Sequence, residues 1–213
     1  MKRFTGFLQV AALLLGAFLT PVPALAAADE VGKISRLRGN AFLRGFSHFK
    51  IARVGTSLEA GDRILTGRYS RVELTMIDGS KIMLGDNTDF TVKSYEYKPS
   101  EGVGRAVFGF VKGAFRAITA GIGRMNNPDF RVQTPVATMG VRGTTFWGGL
   151  QFFDDQLHVA LLEGKGVYLE TDVGRTEIRN VGYGSTVRKG GSPTQPKPWD
   201  AQKVSTAVAS VTW

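Results

Sequence analysis

The sequence predicts an all-β protein: many short strands in a β-sandwich, a roll or a solenoid-like stack, behind an N-terminal signal helix. Three observations carry this expectation. Apolar residues recur at every second position through most of the chain, the runs are rich in β-branched and aromatic residues, and glycine punctuates them. The chain has 27 glycines among 213 residues, about twice the usual share of roughly 7%. Hydrophobic residues at 43% and charged residues at 21% are ordinary globular proportions, which exclude a disordered chain and a multi-span membrane protein.

Taken in order, Met1-Lys2-Arg3, the apolar run Val10 to Leu19 and Ala24-Leu25-Ala26 have the charge, core and small-x-small pattern of a cleavable secretory signal. The apolar run is about ten residues, short of the roughly 20 that span a bilayer. The organisation expected is a signal peptide over 1–26, a β-domain over 27–188, and a Pro/Gly-rich linker with a short tail over 189–213. The expected location is the periplasm, with secretion or surface association as second choice and no transmembrane segment in the processed chain.

Within the β-domain, Val72-Glu73-Leu74-Thr75-Met76 alternates, Asp78-Gly79 supplies a turn, and Lys81-Ile82-Met83-Leu84 resumes, which is a hairpin signal. Thr88 to Tyr97, Phe130-Arg131-Val132, Thr144 to Trp147, Leu157 to Leu162 and Gly166 to Glu170 read as further strands, roughly ten to fourteen in all. Val103 to Ile118 is ambiguous: Val103, Arg105 and Val107 alternate, the stretch near Ala114 admits a helix, and Gly109 and Gly113 oppose one. Lys189 to Trp199 reads as a linker. Val204 to Trp213 reads as a β-prone tail, a docking strand or frayed end, and as a candidate strand donor for partner binding at a sheet edge.

The chain contains no cysteine, which removes disulfides, thiolate zinc sites and thiol catalysis. His48 and His158 are its two imidazoles. Asp154, Asp155 and His158 could ligate a metal and make the chain a metal-assisted hydrolase, but neighbouring carboxylates also suit a solvent-facing turn. Asp86-Asn87-Thr88-Asp89 lacks the sixth-position glycine and twelfth-position glutamate of a calcium loop and reads as a turn. Phe108-Gly109-Phe110 superficially matches an RNA-binding strand, yet the flanking residues break that pattern, so nucleic acid is not an expected partner. No cofactor is called for, and no enzyme is expected.

The net charge of +9 is concentrated. Lys33, Arg36, Arg38, Arg44, Lys50 and Arg53 have no acid between them, and Arg105, Lys112, Arg116, Arg124 and Arg131 face Asp129 alone. Solvated strand faces explain such runs; were the segments to meet, Lys33, Arg36, Arg38, Arg44, Arg105, Lys112 and Arg116 would form a footprint for an anionic envelope polymer.

Several spaced motifs resemble the FecR-type domain of exported bacterial proteins. They are Leu58 to Gly67, containing Gly61-Asp62 and Thr66-Gly67; Ser70 to Leu74 with Asp78-Gly79-Ser80; Phe130 to Ala137, containing Thr134-Pro135; Val141-Arg142-Gly143-Thr144-Thr145-Phe146; and Leu162-Glu163-Gly164-Lys165-Gly166-Val167. Read from the residues, these are turn and strand-end signals, with Arg142 open to two uses: a buried guanidinium paired with a carboxylate such as Glu163, or a contact for an anionic ligand. The resemblance implies a non-catalytic binding module in envelope sensing or signalling, with a protein or an anionic envelope polymer as partner. A surface-attachment or polysaccharide-associated factor is the alternative. Longer proteins of this kind carry a cytoplasmic segment that acts on a sigma factor; the signal-like N-terminus here makes that role unexpected.

Overall fold

The computed structural model describes residues 29–45 and 49–213; the signal segment 1–26 and His48 lie outside the described residues. Alternating sequence becomes a 17-stranded open sheet. Its strands are β1 (Glu30–Arg38), β2 (Ala41–Arg44), β3 (Phe49–Ile51), β4 (Ser57–Glu59), β5 (Arg63–Thr66), β6 (Arg71–Met76), β7 (Lys81–Leu84), β8 (Asp89–Lys98), β9 (Val103–Ile118), β10 (Asp129–Gln133), β11 (Thr138–Val141), β12 (Thr144–Leu150), β13 (Leu157–Gly164), β14 (Val167–Thr171), β15 (Gly174–Ile178), β16 (Tyr183–Val187) and β17 (Lys197–Pro198), followed by helix α1 (Ala201–Ala209). The number exceeds the sequence expectation because strands of three or four residues, such as β3 and β4, are too short to display a period.

The sheet folds over into two leaves that share β9. One leaf runs β4-β1-β6-β7-β9-β12-β13-β16-β17. The other runs β3-β2-β5-β8-β9-β10-β11-β14-β15. The first part of β9 pairs with β8 and β10, and the part from Gly113 onward pairs with β7 and β12. Every pairing is antiparallel except β9 with β10. A parallel neighbour cannot be reached by a tight turn, so the chain from Gly113 to Pro128 has to cross over before β10 begins.

Inward positions of both leaves fill one core. A chain of rings crosses it: Phe146 lies 5.4 Å from Phe115, Phe115 4.8 Å from Phe110 and 5.6 Å from Phe90, and Phe108 5.3 Å from both Phe90 and Phe130. All six rings are buried, with tilted or edge contacts that suit their quadrupoles. Phe108 and Phe110, the apparent RNA-binding aromatics, are therefore core residues.

The tail differs from the expectation. Val204 to Ala209 is helical rather than extended, so it is not a strand donor. Asp200 caps α1 by accepting from the Lys203 amide at 2.7 Å, and Ala207 and Val211, four residues apart, bury against Ala114 and Trp147 on the outer face of the first leaf. Trp147 Nε1 donates to Ser210 Oγ at 3.1 Å, and the Arg36 guanidinium lies 4.2 Å over the Trp213 ring. Ahead of α1, the stretch 189–199 lies along β16: the Thr194 amide donates to the Thr186 carbonyl at 3.0 Å, and Lys197-Pro198 pairs with β16.

Gly113 makes the bend of β9 possible. Its φ is +96°, and a Cβ there would sit 2.6 Å from Thr88 Cα. Gly113→Ala should cost about 2 kcal/mol or more, since it adds a backbone clash to positive-φ strain. Gly190 also has positive φ but open space around it, so Gly190→Ala should cost about 1 kcal/mol or less. Urea unfolding of both variants measures the difference.

Candidate functional site

The crossover from β9 to β10 walls one side of a cleft of about 1040 Å³. The other sides are the β11–β12 turn, carrying Arg142, Gly143 and Thr144, and the β13–β14 turn, carrying Glu163, Gly164 and Lys165. Motif residues separated by about twenty positions in sequence therefore meet in space.

Hydroxyl and backbone groups hold these turns together. Thr119 Oγ1 accepts from the Thr144 amide at 2.8 Å and is 3.1 Å from the Thr144 carbonyl, to which the Thr119 amide also donates. Thr144 Oγ1 in turn accepts from the Gly166 amide at 3.2 Å and lies 3.0 Å from the Gly166 carbonyl. Gly164 has φ +98°, and a Cβ on it would stand 2.3 Å from the Gly143 carbonyl oxygen, so the two turns can stack only with glycine there.

Behind the crossover stands Asp78, buried in the β6–β7 turn. Its Oδ1 accepts from the Ser80 amide at 2.7 Å and Tyr95 Oη at 2.6 Å, and its Oδ2 accepts from Ser80 Oγ at 2.8 Å and the Ile122 amide at 2.9 Å. Its carbonyl accepts from the Gly121 amide at 3.0 Å, and Ser80 Oγ accepts from the Ala120 amide at 2.9 Å. The Asp78-Gly79-Ser80 motif thus fixes the segment that presents Arg124 to the cleft. Burial, followed by the charge of Asp78, pushes the Tyr95 phenol far above its ordinary value.

Arg142 does not pair with Glu163. Both are exposed at the cleft, and Glu163 accepts instead from Thr145 Oγ1 at 3.3 Å. A turn residue between two glycine-stacked loops has no interior to enter, and exposure removes the need for a fixed counter-ion. Among the described residues, Arg124, Arg142 and Lys165 form no ion pair, whereas Asp129 is held by Arg105 at 3.1 Å and Arg131 at 2.5 Å. The cleft therefore presents three free cations, one weakly engaged carboxylate and the amides of Asn126 and Asn127.

The other motif residues serve turns elsewhere. Asp62 Oδ2 accepts from the Glu59 amide at 2.9 Å, and the Gly61 and Gly67 amides donate to the Val92 and Asn40 carbonyls. Thr66 Oγ1 donates to the Gly85 carbonyl at 2.6 Å and accepts from the Thr88 amide at 2.8 Å. Thr134 ends β10 as Pro135 requires, with its Oγ1 accepting from the Val136 and Ala137 amides at 3.1 and 3.0 Å. Thr134 and Pro135 border a second cavity of about 590 Å³.

The basic positions are divided between the leaves. Lys33, Arg36 and Arg38 lie on β1, Arg44 on β2, and Arg105, Lys112 and Arg116 along β9. Arg36 is stacked on Trp213, Arg105 is paired with Asp129, and Arg116 is half-buried beside Trp147 in the strand register.

The loop acids are also in use. Asp89 joins Arg63 through a two-point ion pair, and Asp86 lies 3.6 Å from Arg71. Asp154 is 3.0 Å from His158 Nε2, while Asp155 is exposed. Among the described residues no group of three or more His, Asp or Glu converges as a metal site.

His158 belongs to an aromatic clasp that sequence reasoning missed. Trp147, Phe152, Phe153 and Trp199 pack edge to face, with His158 5.3 Å from Phe153. Lys203 of α1 lies 4.3 Å over the Trp199 ring and 3.3 Å from His158 Nδ1. Only the spacing of Trp147, Phe152-Phe153 and Trp199 hinted at it. Burial, aided by the Lys203 charge and opposed by Asp154, holds the imidazole below its ordinary value.

Two expectations follow. Asp78→Ala strands several buried donors and should cost about 3 kcal/mol, with faster hydrogen exchange at Gly121 and Ile122; Tyr95→Phe should cost about 1 kcal/mol. Because the folded His158 binds its proton less readily than the unfolded one, stability is fully present above pH 6.5 and is lost as pH falls below it. Melting followed by tryptophan fluorescence should show this acid loss, and His158→Gln should flatten it.

The chain matches the family model "FecR protein" over residues 62–165. Two crystal structures of a "putative anti-sigma factor" from Parabacteroides distasonis resemble it, each at 18% identity and over 68% of this chain, with TM-scores of 0.53 and 0.55. The likeness covers 64% and 63% of those chains, so this chain spans less than two thirds of their length, and at that identity it speaks for the fold. No curated protein matches. Among the described residues no helix is long and apolar enough to cross a membrane. The motif turns gathered at the cleft, the matched segment and the shared fold lead to one conclusion: this chain carries a FecR-type domain over residues 62–165.

Proposed function

We propose that the chain is a non-catalytic, regulatory binding module of envelope signalling that works in the periplasm after export, and that its partner engages the cleft. The convergence of Arg142, Gly143, Thr144, Glu163 and Gly164 with Arg124 and Lys165, which places three cations without an ion pair among the described residues in one cleft, carries this reading. Glycine-stacked turns and threonine clamps hold the backbone, so the side chains of Arg124, Arg142 and Lys165 can bind carboxylates of a protein partner without the loops first having to be ordered. Cations at such a rim steer association and select partners by charge. The name of the structural relatives supports a regulatory rather than a chemical role, and the signal-like N-terminus supports export.

A photo-crosslinker at Asn126, compared with one at Val181, tests the proposal in cells. Saturable, protease-sensitive adducts from Asn126 alone are expected, reduced at least tenfold by Arg142→Glu with Lys165→Glu. Adducts that are glycan rather than protein would favour the polysaccharide-associated alternative, and equal labelling from both positions would remove the cleft from the reading.

A further inference from the structure

Strand β2 obeys the alternation on one side only. Ala41 and Leu43 face the core, and of the two outward positions Arg44 is polar as the rule expects while Phe42 is not. Its partner β3 is exposed along its whole length. The register Phe42 to Ile51 and Arg44 to Phe49 places all four residues on one outer face, with the Phe42 and Phe49 rings stacked at 5.6 Å. Phe49 is 66% exposed, Ile51 64% and Val54 62%. The other exposed large apolar residues, such as Tyr69, Val111 and Val181, are far apart in sequence; four fall within the thirteen positions from Phe42 to Val54.

Arg44 shares this face, Arg53 follows β3, and Lys50, opposite Leu43 in the register, projects from the other side of the same edge. Arg44, Lys50 and Arg53 are exposed and form no ion pair among the described residues, whereas Arg63, beside Arg44 in the register, is neutralised by Asp89. No acid occurs between Val31 and Leu58. The patch thus combines solvent-facing rings, which cost free energy where they stand, with a local charge of one sign.

We propose that the β2–β3 hairpin is a docking surface for an anionic lipid membrane. Charge complementarity selects an anionic occupant, and the form of the patch selects a lipid one. The patch stands out from the sheet as exposed side chains on neighbouring strands, and the cleft and the second cavity are lined by other residues. β3 has three residues with Lys50 at its middle, and short, lysine-bearing edges discourage strand addition. A deformable interface accepts protruding rings at the acyl boundary while headgroups meet the nearby cations. The surface is built from strands other than those that frame the cleft, so membrane docking and partner binding are separable.

Co-sedimentation of the full chain with vesicles tests this, using wild type, Phe49→Ser with Ile51→Ser, and Arg44→Gln with Lys50→Gln and Arg53→Gln. The substituted side chains are exposed, and unchanged melting confirms folding. All three proteins share every other residue, including the apolar N-terminus, so differences belong to the hairpin. The wild type should bind phosphatidylglycerol-rich vesicles at least tenfold more tightly than pure phosphatidylcholine, with each variant losing at least tenfold and with salt weakening the wild type; a surface cation is worth about fivefold. Equal binding by all three proteins, or equal affinity for both vesicle types, would overturn the proposal. So would retention by soluble dextran sulfate that needs the cations and ignores Phe49 and Ile51, since that would assign the hairpin to an anionic polymer.

Discussion

Strand β9 bonds to four partners, β8 and β10 along its first part and β7 and β12 along its last, and the architecture depends on its change of direction at Gly113. Without the bend the two leaves would be one flat sheet with an apolar face open to water. With it, Phe108 and Phe110 on one side and Phe115 on the other close on a common core. The same bend creates the cleft, because the parallel pairing of β9 with β10 obliges the chain to cross over, and the crossover becomes a wall.

Buried polar groups act as joints between elements. Asp78, Thr66, Thr88 and Thr144 each satisfy main-chain groups from segments distant in sequence, which is where buried hydrogen bonds matter most: leaving a donor unmet costs more than making the bond gains. The family motifs are largely these joints. Their residues fix loop backbones, and the groups free to meet a partner, Arg124, Arg142 and Lys165, are neighbours on the fixed frame. Some cations are engaged within the molecule, Arg63 by Asp89, Arg105 by Asp129 and Arg36 by the Trp213 ring, whereas those of the cleft and of the β2–β3 hairpin form no ion pair among the described residues.

The sequence by itself determined what depends on near neighbours. Alternation identified the β class, Asp78-Gly79 and Thr134-Pro135 marked real turns, and Gly109 and Gly113 argued against a helix where β9 runs. Tertiary structure alone decided what depends on distant contacts. Val204 to Ala209 has β-prone residues, yet a cap at Asp200 and an apolar seat on Trp147 and Ala114 make it a helix. Whether Arg142 would be buried against Glu163 or exposed was open in the sequence, because a residue's burial is set by which turns stack upon it. Arg124 was one cation in a basic run until Asp78 anchored its segment beside the Arg142 and Glu163 turns. Local preference reads out over a few residues; burial, ion pairing and the walls of a cleft are settled by chain segments that meet only when the core closes.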